Sequence, residues 1–222
     1  MLTIGFEGKR LLSSLTGFGT YSRTLIRDIC RFYPETRCVL IAHDSYNALN
    51  KLPSFSSLEI QQIKRLDSIK VVYPPSTWHL YWKLLGAKRA LYNQGVDIYH
   101  GLVHQIPRSV RQKRVPIVLT VHDLIYRHYP ELSSDTDLNL YESQLLNACS
   151  ISEKIVAVSE STKRDIVNFF SISPQKISVI YSACDYRYHT IATAEKIQQT
   201  RSIYGLPEKY LLYVGSMSER KN

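Results

Sequence analysis

Polar side chains able to bind or react recur in this sequence at the points where short apolar runs stop. Glu7 follows "TIGF" (3–6), His100 closes "VDIYH" (96–100), His122 and Asp123 follow "IVLTV" (117–121), and Ser159 closes "KIVAVS" (154–159). If these runs are strands of one parallel sheet, their carboxyl ends share a rim, and open α/β sheets bind ligands in the crevice beyond that rim. Each residue also has a structural explanation. A histidine at a strand end is commonly a hydrogen-bonded core residue, and Ser159 in "AVSEST" fits a helix N-cap. Four polar strand ends on one rim carry more weight than any one of them. Other chemistries are disfavoured by spacing. His100 and His104 are four apart, but a strand running into a loop does not stack them on one helix face, and there is no HExxH for a metal and no G-x-S-x-G for a serine nucleophile.

The stretch "LTGFGTYSRTLIRDI" (15–29) places Gly17 and Gly19 just ahead of a helical pattern. Glycines there let backbone or ligand approach closely, and a helix N-terminus offers unpaired N–H groups to an anion. A dinucleotide fingerprint requires G-x-G-x-x-G directly after the first strand. Ser22 holds the third glycine's position and about ten residues precede Gly17, so the motif departs from that fingerprint. A turn that needs glycine for its conformation alone is the competing explanation.

The elements that must position these groups follow from periodicity. "TIGF", "CVLIA" (38–42), "VDIYH", "PIVLTV" (116–121), "KIVAVS" and "ISVIY" (177–181) are apolar nearly throughout, as strands covered on both faces are. A helix capped by Thr20 is expected next, with Leu25, Ile29 and Phe32 inward, Ile26 and Tyr33 alongside, and Arg23, Arg27, Asp28 and Arg31 on the opposite side. Further helices are expected over 78–93 behind Thr77, over 135–148, and after Ser159. "LEIQQI" (58–63) and "IKVVY" (69–73) read as short strands. Strand and helix in alternation predict an α/β fold: an open, mostly parallel Rossmann-like sheet with helices on both faces. Residues 1–185 form this domain. Over 186–222 come a linker, a helix ending at Gly205, and an apolar strand "YLLYVG" (210–215) that reads as the start of a second domain.

The chain has 222 residues, 44% of them apolar, and a net charge of +9. No run approaches the twenty apolar residues of a membrane span and the start lacks a signal-peptide layout, so the expectation is cytoplasmic. The four cysteines have no CxxC spacing and read as reduced, mostly buried thiols. The positive charge favours an anionic partner. Its densest cluster, Arg108, Arg111, Lys113 and Arg114, lacks the interleaved aromatics of a single-strand nucleic-acid platform. It reads first as a solvated loop and second as a contact for acidic lipid headgroups at the inner face of the plasma membrane.

Taken together, "IGFEGKRLLSSLTGFGTYSRTLIRDI", "DIYHGLVHQIP", "PIVLTVHDLIYRHYPEL", "KIVAVSESTKRDIVNFFSISPQKISVIY" and "YGLPEKYLLYVGSMSERKN" resemble, in order, the amino-terminal half of retaining family-4 glycosyltransferases of the GT-B fold. The likeness covers nearly the whole chain except about 43–95. It implies an acceptor-side domain facing a nucleotide-sugar-binding domain across a cleft. By position, Gly17 and Gly19 match the loop that approaches donor diphosphate and acceptor, and His122 matches a strand-end histidine close to the transferred sugar. Lys221, with Arg220 beside it, matches the diphosphate-binding lysine. His104 and Gln105 match a segment usually read "HE", so Gln105 is a departure; Ser216 is another, where relatives carry arginine. The E-x7-E glutamates of relatives would lie beyond Asn222.

The resemblance implies sugar transfer with retention from a nucleotide sugar to a glycan or lipid-linked acceptor, in cell-envelope or polysaccharide biosynthesis. It implies no cofactor or divalent metal, no nucleic-acid partner, and a chain of this extent that is inactive by itself. Fixed cations and helix N–H groups suit the negative charge that grows on a departing nucleoside diphosphate. The alternatives are a non-catalytic module that binds a glycan or phosphorylated ligand, and a nucleotide-dependent oxidoreductase, the latter disfavoured by Ser22 and the long first loop.

Overall fold

A single sheet of seven parallel strands organises the chain in the computed structural model, which describes residues 1–14, 16–42, 44–52, 58–64, 66–74, 86–103, 106–107, 110, 115–132, 138–184 and 186–215. The strands are β1 (Thr3–Glu7), β2 (Arg37–Ile41), β3 (Ile69–Val72), β4 (Ile98–Gly101), β5 (Ile117–Val121), β6 (Lys154–Ala157) and β7 (Ile177–Val179). Their order is β3-β2-β1-β4-β5-β6-β7 and each adjacent pair is parallel. The chain winds outward in both directions from β1, so the strand order reverses between β1 and β4. That reversal opens the crevice in which such sheets hold ligands.

Side chains alternate across the sheet and feed two cores. On one face Phe6, Cys38 and Leu40 pack with Leu11 and Leu12 of α1 (Lys9–Ser13), Ile26 of α2 (Gly17–Phe32), Leu49 of α3 (Tyr46–Leu49), and Ile60 and Ile63 of α4 (Leu58–Lys64). On the other, Val39, Ile41, Tyr99, Leu119 and Val121 pack with Leu91 of α5 (Ala87–Asn93). That face also receives Leu145 and Ala148 of α7 (Leu138–Ile151), and Ile166 and Phe170 of α8 (Glu160–Phe170). The short α6 (Ile125–His128) follows β5, and α9 (Ala194–Tyr204) lies after the sheet. Burial on both faces is why these strands read as continuous apolar runs.

Several local expectations are corrected. Residues 58–64 are helical, not extended: Ile60 and Ile63 sit three apart on one buried face, a helical spacing that the mixed polar residues between them masked. Helix α2 begins at Gly17 behind Thr16, not at Thr20, so both glycines lie inside its first turn. Phe32 and Tyr33 are exposed, whereas Arg23, expected on the solvent side, is buried. Its guanidinium donates to the carbonyls of Leu11 at 3.1 Å and Ser14 at 2.6 Å, satisfying acceptors at the end of α1 that helix geometry leaves open. The helix expected over 135–148 runs to Ile151, with its first three predicted positions outside the described residues, as are 78–85 of the helix expected before Asn93.

The tail helix ends as read: Thr193 caps α9 by accepting from the Lys196 amide, and Gly205 closes it at φ 60°. The segment 210–215 does not form a strand; Leu211, Leu212 and Val214 stand in solvent. An apolar parallel strand is held by ladder bonds and by cover on both faces, and these residues have no partner strand among the described ones.

Candidate functional site

The first turn of α2 and the end of β5 meet at the carboxyl edge of the sheet. His122, immediately after β5, has its ring 4.8 Å from those of Phe18 and Tyr21, both in edge-on arrangements. Its Nε2 lies 3.0 Å from the Leu102 carbonyl. A carbonyl only accepts, so Nε2 carries the proton and the neutral ring keeps its lone pair on Nδ1. Burial lowers the His122 pKa, against smaller opposing effects of the Leu102 carbonyl and of Asp123, so the ring is neutral at physiological pH. The same backbone is tied from the first turn of α8, since Thr162 donates through Oγ1 to the His122 carbonyl at 3.1 Å. Thr162 is placed by Ser159, whose hydroxyl accepts from its amide at 3.0 Å as the N-cap of α8.

A second layer joins β4 to the same cluster. His100 Nε2 and Thr120 Oγ1 are 2.9 Å apart, and the Tyr21 hydroxyl lies 3.5 Å from the same Thr120 oxygen. Burial pushes His100 down to about 4, so it is a neutral hydrogen-bonding ring. Thr120 is fully buried, which leaves its hydroxyl to these two partners. Asp123 is exposed, and its carboxylate accepts from the Ile125 amide at 3.2 Å.

The two glycines have different tasks. A Cβ at Gly19 would stand 2.1 Å from the Ser14 carbonyl oxygen, so this glycine is required for close approach of backbone to backbone. A Cβ at Gly17 would meet nothing within 4 Å. Gly17 is therefore the exposed glycine of the pair, on a first turn where unpaired N–H groups face outward.

Of the residues expected to form the site, Gly17, Gly19, His100, His122, Asp123 and Ser159 all lie on this rim, linked through Tyr21, Thr120 and Thr162. His104, Gln105, Arg220 and Lys221 lie outside the described residues, as does the basic cluster of Arg108, Arg111, Lys113 and Arg114. Sequence reasoning missed Phe18, Tyr21 and Thr120, whose roles arise from contacts between distant segments. An aromatic at each side of the second glycine was the available signal.

Glu7 ends β1 at the point of strand reversal. Its Oε1 accepts from the Lys9 amide at 2.9 Å. Burial nevertheless raises its pKa from the ordinary 4.5 to about 7, outweighing that amide and the charges of Lys9 and Arg10. Between those two values the folded chain holds a proton that the unfolded chain has released, so this group makes stability fall as pH rises through the window. Glu7→Gln should leave stability unchanged near pH 4 and raise it at pH 8 by about 2 kcal/mol, the lower part of the range for such a shift because Glu7 is only half-buried. Urea unfolding of both forms at the two pH values measures this.

A family model described as Glycosyltransferase Family 4 matches residues 21–187, most of the chain and nearly all of the sheet. The chain belongs to glycosyltransferase family 4. The O-antigen chain mannosyltransferase B of Escherichia coli is 26% identical over 125 residues, 56% of this chain and 32% of that protein. Among solved structures, a glycosyltransferase from Rickettsia africae superposes with a TM-score of 0.56 at 16% identity, covering 93% of this chain and 50% of that one. Anabaena HepE in complex with UDP-glucose gives 0.56 at 17% identity, covering 92% and 50%. The chain thus spans about a third of the curated relative and half of the solved neighbours. At those identities the superpositions establish the fold, an open parallel α/β sheet of the Rossmann-like kind that GT-B glycosyltransferases contain. Among the described residues no helix of this family-4 domain is long and apolar enough to cross a membrane.

Proposed function

We propose that this family-4 domain is the acceptor side of a retaining glycosyltransferase that transfers a sugar from a nucleotide-sugar donor to a glycan or lipid-linked acceptor in polysaccharide or cell-envelope biosynthesis. The observation that carries the reading is the joint placement of the α2 first turn and a neutral His122 on the carboxyl rim beside the strand reversal. In this reading Gly17 and the first-turn N–H groups meet phosphate oxygens, and Nδ1 of His122 accepts a hydrogen bond from a hydroxyl of the transferred sugar. A neutral ring whose other nitrogen is engaged is suited to orient a hydroxyl, not to act as a nucleophile.

As the diphosphate leaves, negative charge collects on its oxygens and positive charge on the anomeric carbon, and fixed dipoles aimed at the former lower the barrier. Arg220 and Lys221 supply further positive charge, and no divalent metal is needed. Residues 186–222 open the donor-binding half; in support, none of the described residues after Ile177 is buried. HepE was solved with UDP and with UDP-glucose, and the Escherichia coli relative is a mannosyltransferase, so uridine-diphosphate glucose and nucleoside-diphosphate mannose are the donors to try first. The test is transfer from such a panel by this domain joined to a donor-binding half, with the product's anomeric configuration read by NMR. The configuration of the donor should be kept, and an inverted product would overturn the retaining mechanism.

A further inference from the structure

Two cysteines meet where the last turns of α2 lie against β2, away from the rim. Cys30 Sγ and Cys38 Sγ are 3.8 Å apart, in van der Waals contact. Both are free thiols; Cys38 is fully buried and Cys30 is half-buried. The four cysteines have no sequence spacing that announces a pair, and the juxtaposition arises because the chain turns back through residues 33–36 to enter the sheet. We propose that Cys30 and Cys38 form a dithiol modification site that closes reversibly to a disulfide when it meets a peroxide, and so staples α2 to β2.

The chemistry needs an attacking thiolate, a leaving group and a resolving thiol. Cys30 is the attacking sulfur because it is the one reachable from solvent. Once Cys30 ionises, the Cys38 S–H at the same contact can donate to its thiolate, and this with a further hydrogen bond from Ser68 lowers the Cys30 pKa, while the same contact and burial raise that of Cys38. The thiolate attacks one peroxide oxygen, the O–O bond breaks, and hydroxide leaves and takes up a proton as water. Cys30 is then a sulfenic acid. The Cys38 sulfur, already in contact, attacks the Cys30 sulfur; the S–S bond forms, and the sulfenic oxygen departs with the Cys38 proton as a second water. The two thiols lose two electrons in all and the peroxide gains them. A thiol reductant reverses the step by exchange. The other two cysteines have no such neighbour: Cys149 is buried in the opposite core, and the exposed Cys184 has His189 Nε2 at 3.2 Å.

The site can be tested on the 222-residue chain itself. The reduced protein is treated with dilute hydrogen peroxide, free thiols are blocked with N-ethylmaleimide, and the products are read by intact mass and tryptic mapping. Arg31 and Arg37 lie between the two cysteines, so a link appears as the peptide 28–31 joined to 38–51. The expected result is two blocked thiols in place of four, that cross-linked peptide, its loss with dithiothreitol, and a melting temperature raised by about 5 °C in the oxidised form. Cys184→Ser, at an exposed position, should form the link unchanged, while Cys30→Ser and Cys38→Ser should each abolish it. Four blocked thiols after treatment, a link through Cys184, or oxidation of Cys30 to the sulfinic acid without a link would each overturn the proposal.

Discussion

His122→Ala, in the family-4 domain joined to a donor-binding half, is expected to lower kcat/KM for sugar transfer by about 10²-fold, the size seen when one oriented hydrogen bond at the reacting centre is removed. The fold should tolerate the change, because His122 lies on the rim and, among the described residues, its imidazole makes one hydrogen bond, to the Leu102 carbonyl. The pH profile adds a second reading. The account requires the neutral ring, and burial lowers the His122 pKa. The acidic limb of kcat/KM should therefore fall below the ordinary histidine range, and it should vanish in the variant. A variant that keeps the wild-type rate would remove His122 from the site. A variant that loses nucleotide-sugar affinity and rate in equal measure would make it a ground-state binding residue.

Gly19→Ala is expected to cost about 3 kcal/mol of stability, at the upper end for an overpacked position. The new methyl would stand 2.1 Å from the Ser14 carbonyl oxygen and 2.9 Å from Nη1 of Arg23, the side chain that holds that same carbonyl. Backbone there cannot yield without breaking the junction between α1 and α2. Gly17→Ala, with nothing within 4 Å, should leave stability unchanged or slightly raised, since alanine favours a helical turn. Its effect should appear as a raised KM for the nucleotide sugar, because the methyl occupies the surface that a phosphate approaches. Urea unfolding and donor saturation separate the two, and equal loss of stability in both variants would contradict the division of labour.

The parallel sheet was legible because its strands are buried on both faces, and "CVLIA", "IVLTV" and "KIVAVS" carry that burial as unbroken apolar runs. The rim followed from the same reading, since Glu7, His122 and Ser159 sit where those runs end. The residue pattern puts the start of α2 four residues late, with Thr20 in place of Thr16 as its cap, because the first turn holds two glycines, which lower helix propensity; at Gly19 the close approach to Ser14 outweighs that propensity. Arg23 was assigned to solvent by periodicity, yet carbonyls twelve and nine residues earlier bind it, and helical period says nothing about such partners. Tyr21, Thr120 and His100 form one network across 99 and 20 residues of sequence separation. That network is a product of the strand order, which residue patterns within any one segment do not encode.

The most direct measurement is the transfer of labelled sugar from a nucleotide sugar to a glycan acceptor, made with the 222-residue chain alone and with the same chain joined to a donor-binding half. The account predicts no transfer above background by the chain alone, robust transfer once the second half is present, and loss of that transfer on His122→Ala. Full turnover by the isolated chain, or turnover in the joined protein that ignores both His122→Ala and Gly17→Ala, would contradict it.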